Sequence, residues 1–341
     1  MNLVQRSVQN GGKLIPLVIS KGLTNGTGLM NPSVFIDDDG EVLVILRHTN
    51  YTLYHSENNQ RFPSRWGPLS YLHPEKDQRL ATTNYLMRLD NDLNVTDYCL
   101  IDTTLFDIPP VWEFTGLEDA RLVKWDGDYY AVGVRRDVEP VRTGIPGEGR
   151  MEMSKIELDK SSWTAKEIER FRIPAPFEDK SYCEKNWYPI LDKPYHFVKW
   201  TSPTEIVKVT LDTPAKCDQV FVKESLKTQL DQRGGSQVVR WGDVYLSVSH
   251  EVDLYNNYLS QKDGKYRHRL CVWDSQMNLI GLSPEKFSFL DAYIEFAAGA
   301  AVKDGNLLIS FGFQDNAAFI LEVPNTVVDQ MIQEALTYEF N

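Results

Sequence analysis

The stretch Ala120–Arg136, ARLVKWDGDYYAVGVRR, reads as a β-hairpin. An apolar strand runs into Asp126-Gly127, a pair that suits the positive φ angles of a tight hairpin turn, and a second apolar strand leads away. Four other segments repeat the plan. They are SVFIDDDGEVLVILR (33–47), YPILDKPYHFVKW (188–200), SQVVRWGDVYLSVSH (236–250) and GAAVKDGNLLISFG (299–312). Asp39-Gly40 and Asp304-Gly305 are expected to turn as Asp126-Gly127 does. Successive turns lie about 50 to 90 residues apart, the length of a four-stranded propeller blade with its loops. A β-sandwich would not need a similar hairpin in every fifth of the chain. The expectation is therefore an all-β, five-bladed β-propeller that takes up residues 1–341 as one domain.

Helical periodicity is scarce. The exception is NTVVDQMIQEALTYEF, where Val328, Met331, Ile332 and Leu336 recur at helical spacing behind an Asn325 cap. This predicts a C-terminal helix over 325–341, with a face that can pack on a second copy of the chain.

Composition narrows the function classes. A net charge of −12 argues against a protein that coats nucleic acid, which needs clustered Lys and Arg. The short basic run KYRHRL (265–270) is too small to reverse that and suits blade stabilisation or an acceptor contact. No 18-residue apolar run predicts membrane insertion. Cys99, Cys183, Cys217 and Cys271 are scattered without CxxC spacing, so neither a disulfide framework nor a zinc site is expected. Carboxylates and histidines also lack ligand spacing, and no metal or organic cofactor is expected. These readings suit a reduced, cytoplasmic protein.

The hairpin flanks carry the chemistry. Hairpin geometry brings the start of one strand beside the end of its partner, so the polar flanks of all five hairpins lie at one blade edge. If the blades ring an axis, those flanks converge on one pocket. Glu118, Asp119 and Arg121 precede or open the second hairpin, and Arg136 closes it. Arg47 closes the first, while Lys185, Asn186 and Trp187 precede the third, which ends at Lys199 and Trp200. Arg233 precedes the fourth hairpin, His250 and Glu251 close it, and Asp315 follows the fifth. The plain structural alternative is that Asp119 pairs with Arg121 at a strand start.

The segment TGLEDARLVKWDGDYYAVGV resembles the Gly-x-Glu-Asp-Pro-Arg segment of the mannoside phosphorylase family, five-bladed propellers among the glycoside hydrolases. ISFGFQDNAAFI is similar to that family's Tyr-Gly-x-x-Asp segment in the last blade, and the resemblance spans roughly residues 28–325. Related propellers include β-1,2-mannosyltransferases. There are departures: Ala120 stands where the family has proline, Ser249-His250-Glu251 replaces Tyr-His-Gly, and Lys199-Trp200 replaces Arg-Pro.

The resemblance implies inverting glycosyl transfer on a mannoside-like substrate, with phosphate as acceptor or leaving group. A nucleotide-sugar transferase is the alternative, followed by a hydrolase or a non-catalytic glycan-binding propeller. Asp119 would be the catalytic acid, acting through a sugar hydroxyl. Glu118, Arg121, Lys185, Asn186, Trp187, Trp200 and Asp315 would bind substrate. Arg47, Arg136, Lys199, Arg233 and His250 would hold phosphate, and Glu251 would serve as the base of a hydrolase. The expected partner is a sugar or glycan, with phosphate or a nucleotide sugar as co-substrate and a homo-oligomer left open.

Overall fold

Short runs of β-branched and aromatic residues between Asp, Gly and Asn turns leave little choice but antiparallel ribbons. In the computed structural model these ribbons form five four-stranded blades. The structure describes residues 1–24, 27–54, 70–72, 79–139, 144–176, 181–223, 226, 231–256 and 262–338. The first blade comprises Leu29–Ile36, Val42–Thr49, Leu80–Leu89 and Val95–Asp102. The second comprises Glu118–Trp125, Asp128–Arg135, Arg150–Asp159 and Thr164–Arg172, and the third Tyr188–Pro189, His196–Trp200, Thr204–Thr210 and Lys216–Lys223. Val239–Trp241, Val244–Asn256, Lys262–Trp273 and Leu279–Leu282 make the fourth. The fifth joins Glu295–Lys303, Asn306–Phe313 and Ala317–Val323 to the early strand Lys13–Pro16, with Ile15 opposite Ile320. Its sheet is thus built from both ends of the described chain.

The core shows how the blades are arranged. Five buried apolar clusters each bridge two successive blades, including the fifth and the first, so the blades close into a ring. Trp125 and Phe197, for example, meet edge to face 5.4 Å apart between the second and third blades. Because neighbours cover both faces of an inner strand, Leu29–Ile36 and Val42–Thr49 are buried almost throughout. Clean alternation survives only in outermost strands such as Val95–Asp102 and Lys216–Lys223. On the axis, the Gln237 side chain donates to Ser33 Oγ (2.8 Å), Leu122 O (3.1 Å) and Val34 O (3.3 Å) and accepts from Ala300 N (2.9 Å). One amide therefore ties four blades together. Gln237→Ala should lower unfolding stability by about 3 kcal/mol, because it removes hydrogen bonds from buried partners on the three other blades. Urea denaturation reads the change.

The turns refine the expectation. At Asp126-Gly127 and Asp304-Gly305 both residues have positive φ, as a primed two-residue turn requires. At Asp39-Gly40 only Gly40 does (84°), and the loop closes through Asp37 N to Glu41 O. Glycine is placed for its backbone freedom here, but the turn is of another kind.

The C-terminal helix spans Asn325–Thr337. Its cap position is Pro324 and no side chain caps it, because the Asn325 side chain accepts from Thr326 N. The expected cap is therefore corrected. Val328, Met331 and Ile332 are buried, but Leu336 points outward. The buried face packs on the chain's own fourth and fifth blades, which leaves the inward stripe no role between copies. A second helix, Leu3–Gln9, was not evident from periodicity; Asn2 and Gln5 close a capping box around its first turn. All four cysteines are unpaired. Among the described residues, no helix is long and apolar enough to cross a membrane.

Candidate active site

The expected convergence occurs. One face of the ring opens into a cavity of about 920 Å³ to which all five blades contribute. Eleven of the thirteen site residues expected from the sequence line it: Arg47, Glu118, Asp119, Lys185, Asn186, Trp187, Lys199, Trp200, Arg233, His250 and Asp315.

Backbone strain marks the floor. Asn31 (φ 46°), Asp119 (49°), Asn186 (60°) and Asp315 (51°) are non-glycine residues in the left-handed region, and all four line the cavity. Asn and Asp tolerate this conformation best, yet each such residue is sparsely populated and costs of order 1 kcal/mol. The chain slips register beside two of them, between Met30 and Ser33 and opposite Asp119 between Val132 and Val134. Such bulges turn a strand-end side chain out of the pleat and toward the axis. Asn31, in the first blade, was not singled out from the sequence. Its signal was the LMNP flank, which occupies the same blade position as Glu118-Asp119.

Asp119 is held from two sides. Its Oδ1 accepts from Arg47 Nη1 and Asn31 Nδ2, both at 2.7 Å. Burial on its own would raise this carboxyl, but Arg47, Arg121 and the hydrogen bonds hold it at about 2. Asp119 is thus a carboxylate at neutral pH. Asp315 is the opposite case. Burial dominates, Asp119 and Glu118 add repulsion that Arg47 and Lys185 do not cancel, and its carboxyl is pushed up to about 6. Both acids sense Arg47, but the rest of their surroundings differ and their ionisation is driven apart.

Arg47 was expected to hold phosphate. Instead it serves the acids: besides Asp119 it lies 3.8 Å from Glu118, and its guanidinium donates to Thr82 Oγ1 at 3.1 and 3.2 Å. Lys199 stands 3.7 Å from Glu184 and 3.8 Å from Glu205, and Arg233 binds Asp231 at 2.8 Å. Counting the lining, six carboxyl groups face four cations. Glu184 sits directly before Lys185 in the flank of the third hairpin and Asp231 two residues before Arg233, whereas Glu205 has no sequence signal.

His250 departs further from an anion contact. Its Nδ1 lies 2.6 Å from Gly234 O, and a carbonyl can only accept, so Nδ1 carries the hydrogen. The ring is buried, stacked on Tyr266 and edge-on to Phe296, and burial drives the imidazole down to about 3. Neutral His250 therefore presents Nε2 as an acceptor, suited to a hydroxyl rather than to phosphate.

Arg121, Arg136 and the hydrolase-base candidate Glu251 lie outside the lining. Arg121 is fully buried beneath it, donating to Gly235 O (2.8 and 3.0 Å) and to the backbone oxygen of Asp119 (2.5 Å). It fixes the strand rather than touching the cavity. The structural alternative was half right: Arg121 holds the Asp119 backbone, while the carboxylate belongs to Arg47. Arg136 sits one layer back, its guanidinium 3.6 Å from the Cys183 thiol and over the Tyr182 ring.

Three further roles change. Trp187 is 1% exposed and donates to Glu184 Oε2, so its indole is mostly core; Trp200, 40% exposed at the rim, is the better stacking surface. Glu251 is no base for water, because it is buried against Arg269 (2.5 Å), Lys286 (2.8 Å) and Gln232 outside the cavity lining. The basic run 265–270 lies in the third strand of the fourth blade, where Arg269 serves Glu251. A cluster of Asp37, Asp39 and Glu41 has a metal-like arrangement, but Lys124 and Lys160 occupy its oxygens.

No family model matches the sequence, and no curated protein matches it. Solved structures do share the fold. The β-1,2-mannobiose phosphorylase of Listeria innocua, in complex with β-1,2-mannobiose, aligns with a TM-score of 0.55 at 11% identity, over 95% of this chain and 97% of its own. A glycosyl hydrolase from Bacteroides ovatus aligns with a TM-score of 0.56 at 10% identity, over 88% and 85%. This chain therefore has the propeller fold on which a β-1,2-mannobiose phosphorylase and a glycosyl hydrolase are built.

Proposed function

We propose that the axial cavity is the active site of a carbohydrate-active enzyme that cleaves a glycosidic bond with inversion at the anomeric carbon. The carrying observation is the pair of Asp119 and Asp315, whose environments push their ionisation in opposite directions. Bond cleavage needs a proton for the leaving oxygen and activation of the incoming group. A pair with divided ionisation supplies both. Asp315 is the group able to give a proton near neutral pH. Asp119, a fixed carboxylate, is able to accept one from water or from a substrate hydroxyl. Asn31, Asn186 and His250 Nε2 offer contacts for sugar hydroxyls, and Trp200 a face for a ring.

Water suits the cavity as the attacking group, since three of the four lining cations already face carboxylates. Attack by phosphate is the second reading, favoured by Lys185, Lys199 and Arg233 along one wall. Incubation with β-1,2-mannobiose, the sugar bound by the Listeria protein, separates the two. Hydrolysis gives mannose with or without phosphate in the buffer; phosphorolysis gives mannose 1-phosphate only when phosphate is present. GDP-mannose tests the nucleotide-sugar route. Failure to turn over any of a panel of mannosides, glucosides and sugar donors would remove the enzymatic reading.

The pH dependence follows from the same pair. A rate that needs protonated Asp315 falls as pH rises through about 6. That limb should vanish in Asp315→Asn, and a carboxyl ¹³C titration of Asp315 should show the same midpoint.

A further inference from the structure

A second, smaller cavity of about 290 Å³ opens between the first and second blades. We propose that it is a binding site for one uncharged sugar ring, whose occupancy is felt by Asp119. Ligand pockets usually hold about 300–1,000 Å³, so this one has room for a single small ring and little more. Its polar wall is rich in hydroxyls, with Thr82, Thr83, Thr103 and Thr115, and it carries the carboxylates Asp107 and Asp137. Ile108, Pro110 and Val138 supply an apolar side. Hydroxyls and carboxylates opposite apolar surface match a pyranose, which has polar edges and apolar faces.

The charges disfavour an anion. Arg135 is bound to Glu152 at 2.5 Å and lies 3.7 Å from Asp137, and Arg170 makes two bonds to Glu167 at 2.5 and 2.8 Å. Two of the three lining guanidiniums, Arg135 and Arg170, are thus matched by carboxylates before a ligand arrives, and Arg79 is the third.

The wall between the two cavities is thin and tight. Thr82 lines the small cavity and also accepts from Arg47, which binds Asp119. Behind it Gly116, at φ 91°, approaches so closely that a Cβ there would lie 2.1 Å from the Thr82 carbonyl oxygen. A ring resting on Thr82 therefore acts on a wall with no slack, and through Arg47 on the Asp119 carboxylate.

The test is an NMR titration of the full chain, followed at the backbone amides and at the Asp119 carboxyl, with D-mannose, D-glucose and inorganic phosphate as probes. Its readout is binding, so it does not depend on whether the proposed reaction is correct. A saturable event in the small cavity is expected with at least one sugar. Thr103→Trp, which fills the small cavity, should abolish that event and leave any in the axial cavity. Asp107→Ala, an exposed change on the same wall, should weaken that event by about tenfold, as loss of a hydrogen bond to a charged group does. No sugar event that Thr103→Trp abolishes, an Asp119 carboxyl that does not shift during that event, or a small cavity that takes phosphate in preference to both sugars would overturn the proposal. If Thr103→Trp does not fold, Asp107→Ala decides.

Discussion

Asp119→Asn is expected to lower kcat/KM by about 10³-fold while the protein stays folded and still binds sugar. Asparagine retains an oxygen for Arg47 Nη1 and Asn31 Nδ2, so the geometry of the floor survives. What disappears is the charge that makes Asp119 a proton acceptor and that helps keep the proton on Asp315. The Asp315 carboxyl should therefore titrate lower in this variant, moving toward ordinary aspartate. Stability gives an independent sign. The folded Asp119 carboxyl is depressed below its usual value, so its contribution is present above about pH 4 and is lost as pH falls through about 2. The wild type should lose more stability across that window than the variant. Unchanged kcat/KM on every active substrate would leave Asp119 a purely structural anion and remove the mechanism built on it.

Arg121→Met should cost about 3–5 kcal/mol of stability, the range for removing one side of a buried charged network. Methionine fills much of the stem volume but cannot donate. The Gly235 carbonyl then loses both of its guanidinium contacts, and Asp119 loses the bond to its backbone oxygen and a neighbouring positive charge. Because Arg121 helps depress the Asp119 carboxyl, that group should titrate higher in the variant. A urea midpoint displaced by this amount, with an acid limb of activity moved upward, is the expected pair of results. A change of less than about 0.5 kcal/mol, ordinary for a surface substitution, would show that Arg121 does not tie the strand to the fourth blade.

Arg121 and Arg47 are alike in sequence but differ in place. Both are arginines at hairpin ends, and nothing local separates a side chain that faces the cavity from one sealed beneath it. Orientation at a strand end depends on a bulge, and a bulge is one extra residue whose effect appears only once the partner strand is in register. The flank Leu29–Pro32 puts Asn31 at the polar blade edge, but its left-handed backbone is signalled by no spacing rule. The outer strands were less visible than the hairpins, because weakly apolar strands with exposed alternate residues resemble loops.

The chain by itself determined the blade count, the polar edge of each hairpin and the concentration of acidic, basic and amide side chains there. These depend on local physics: turn residues need particular φ angles, and ribbons need apolar runs of a given length. Only the tertiary structure decided charge and role. It paired Arg47 with Asp119, held His250 neutral, removed Arg136, Arg121 and Glu251 from the cavity lining, and raised the Asp315 carboxyl to about 6. Ionisation and ion pairing depend on burial and on groups brought from other blades, as when Arg47 of the first blade acts on Asp315 of the fifth. Such encounters are set by closing the ring, which no single hairpin encodes.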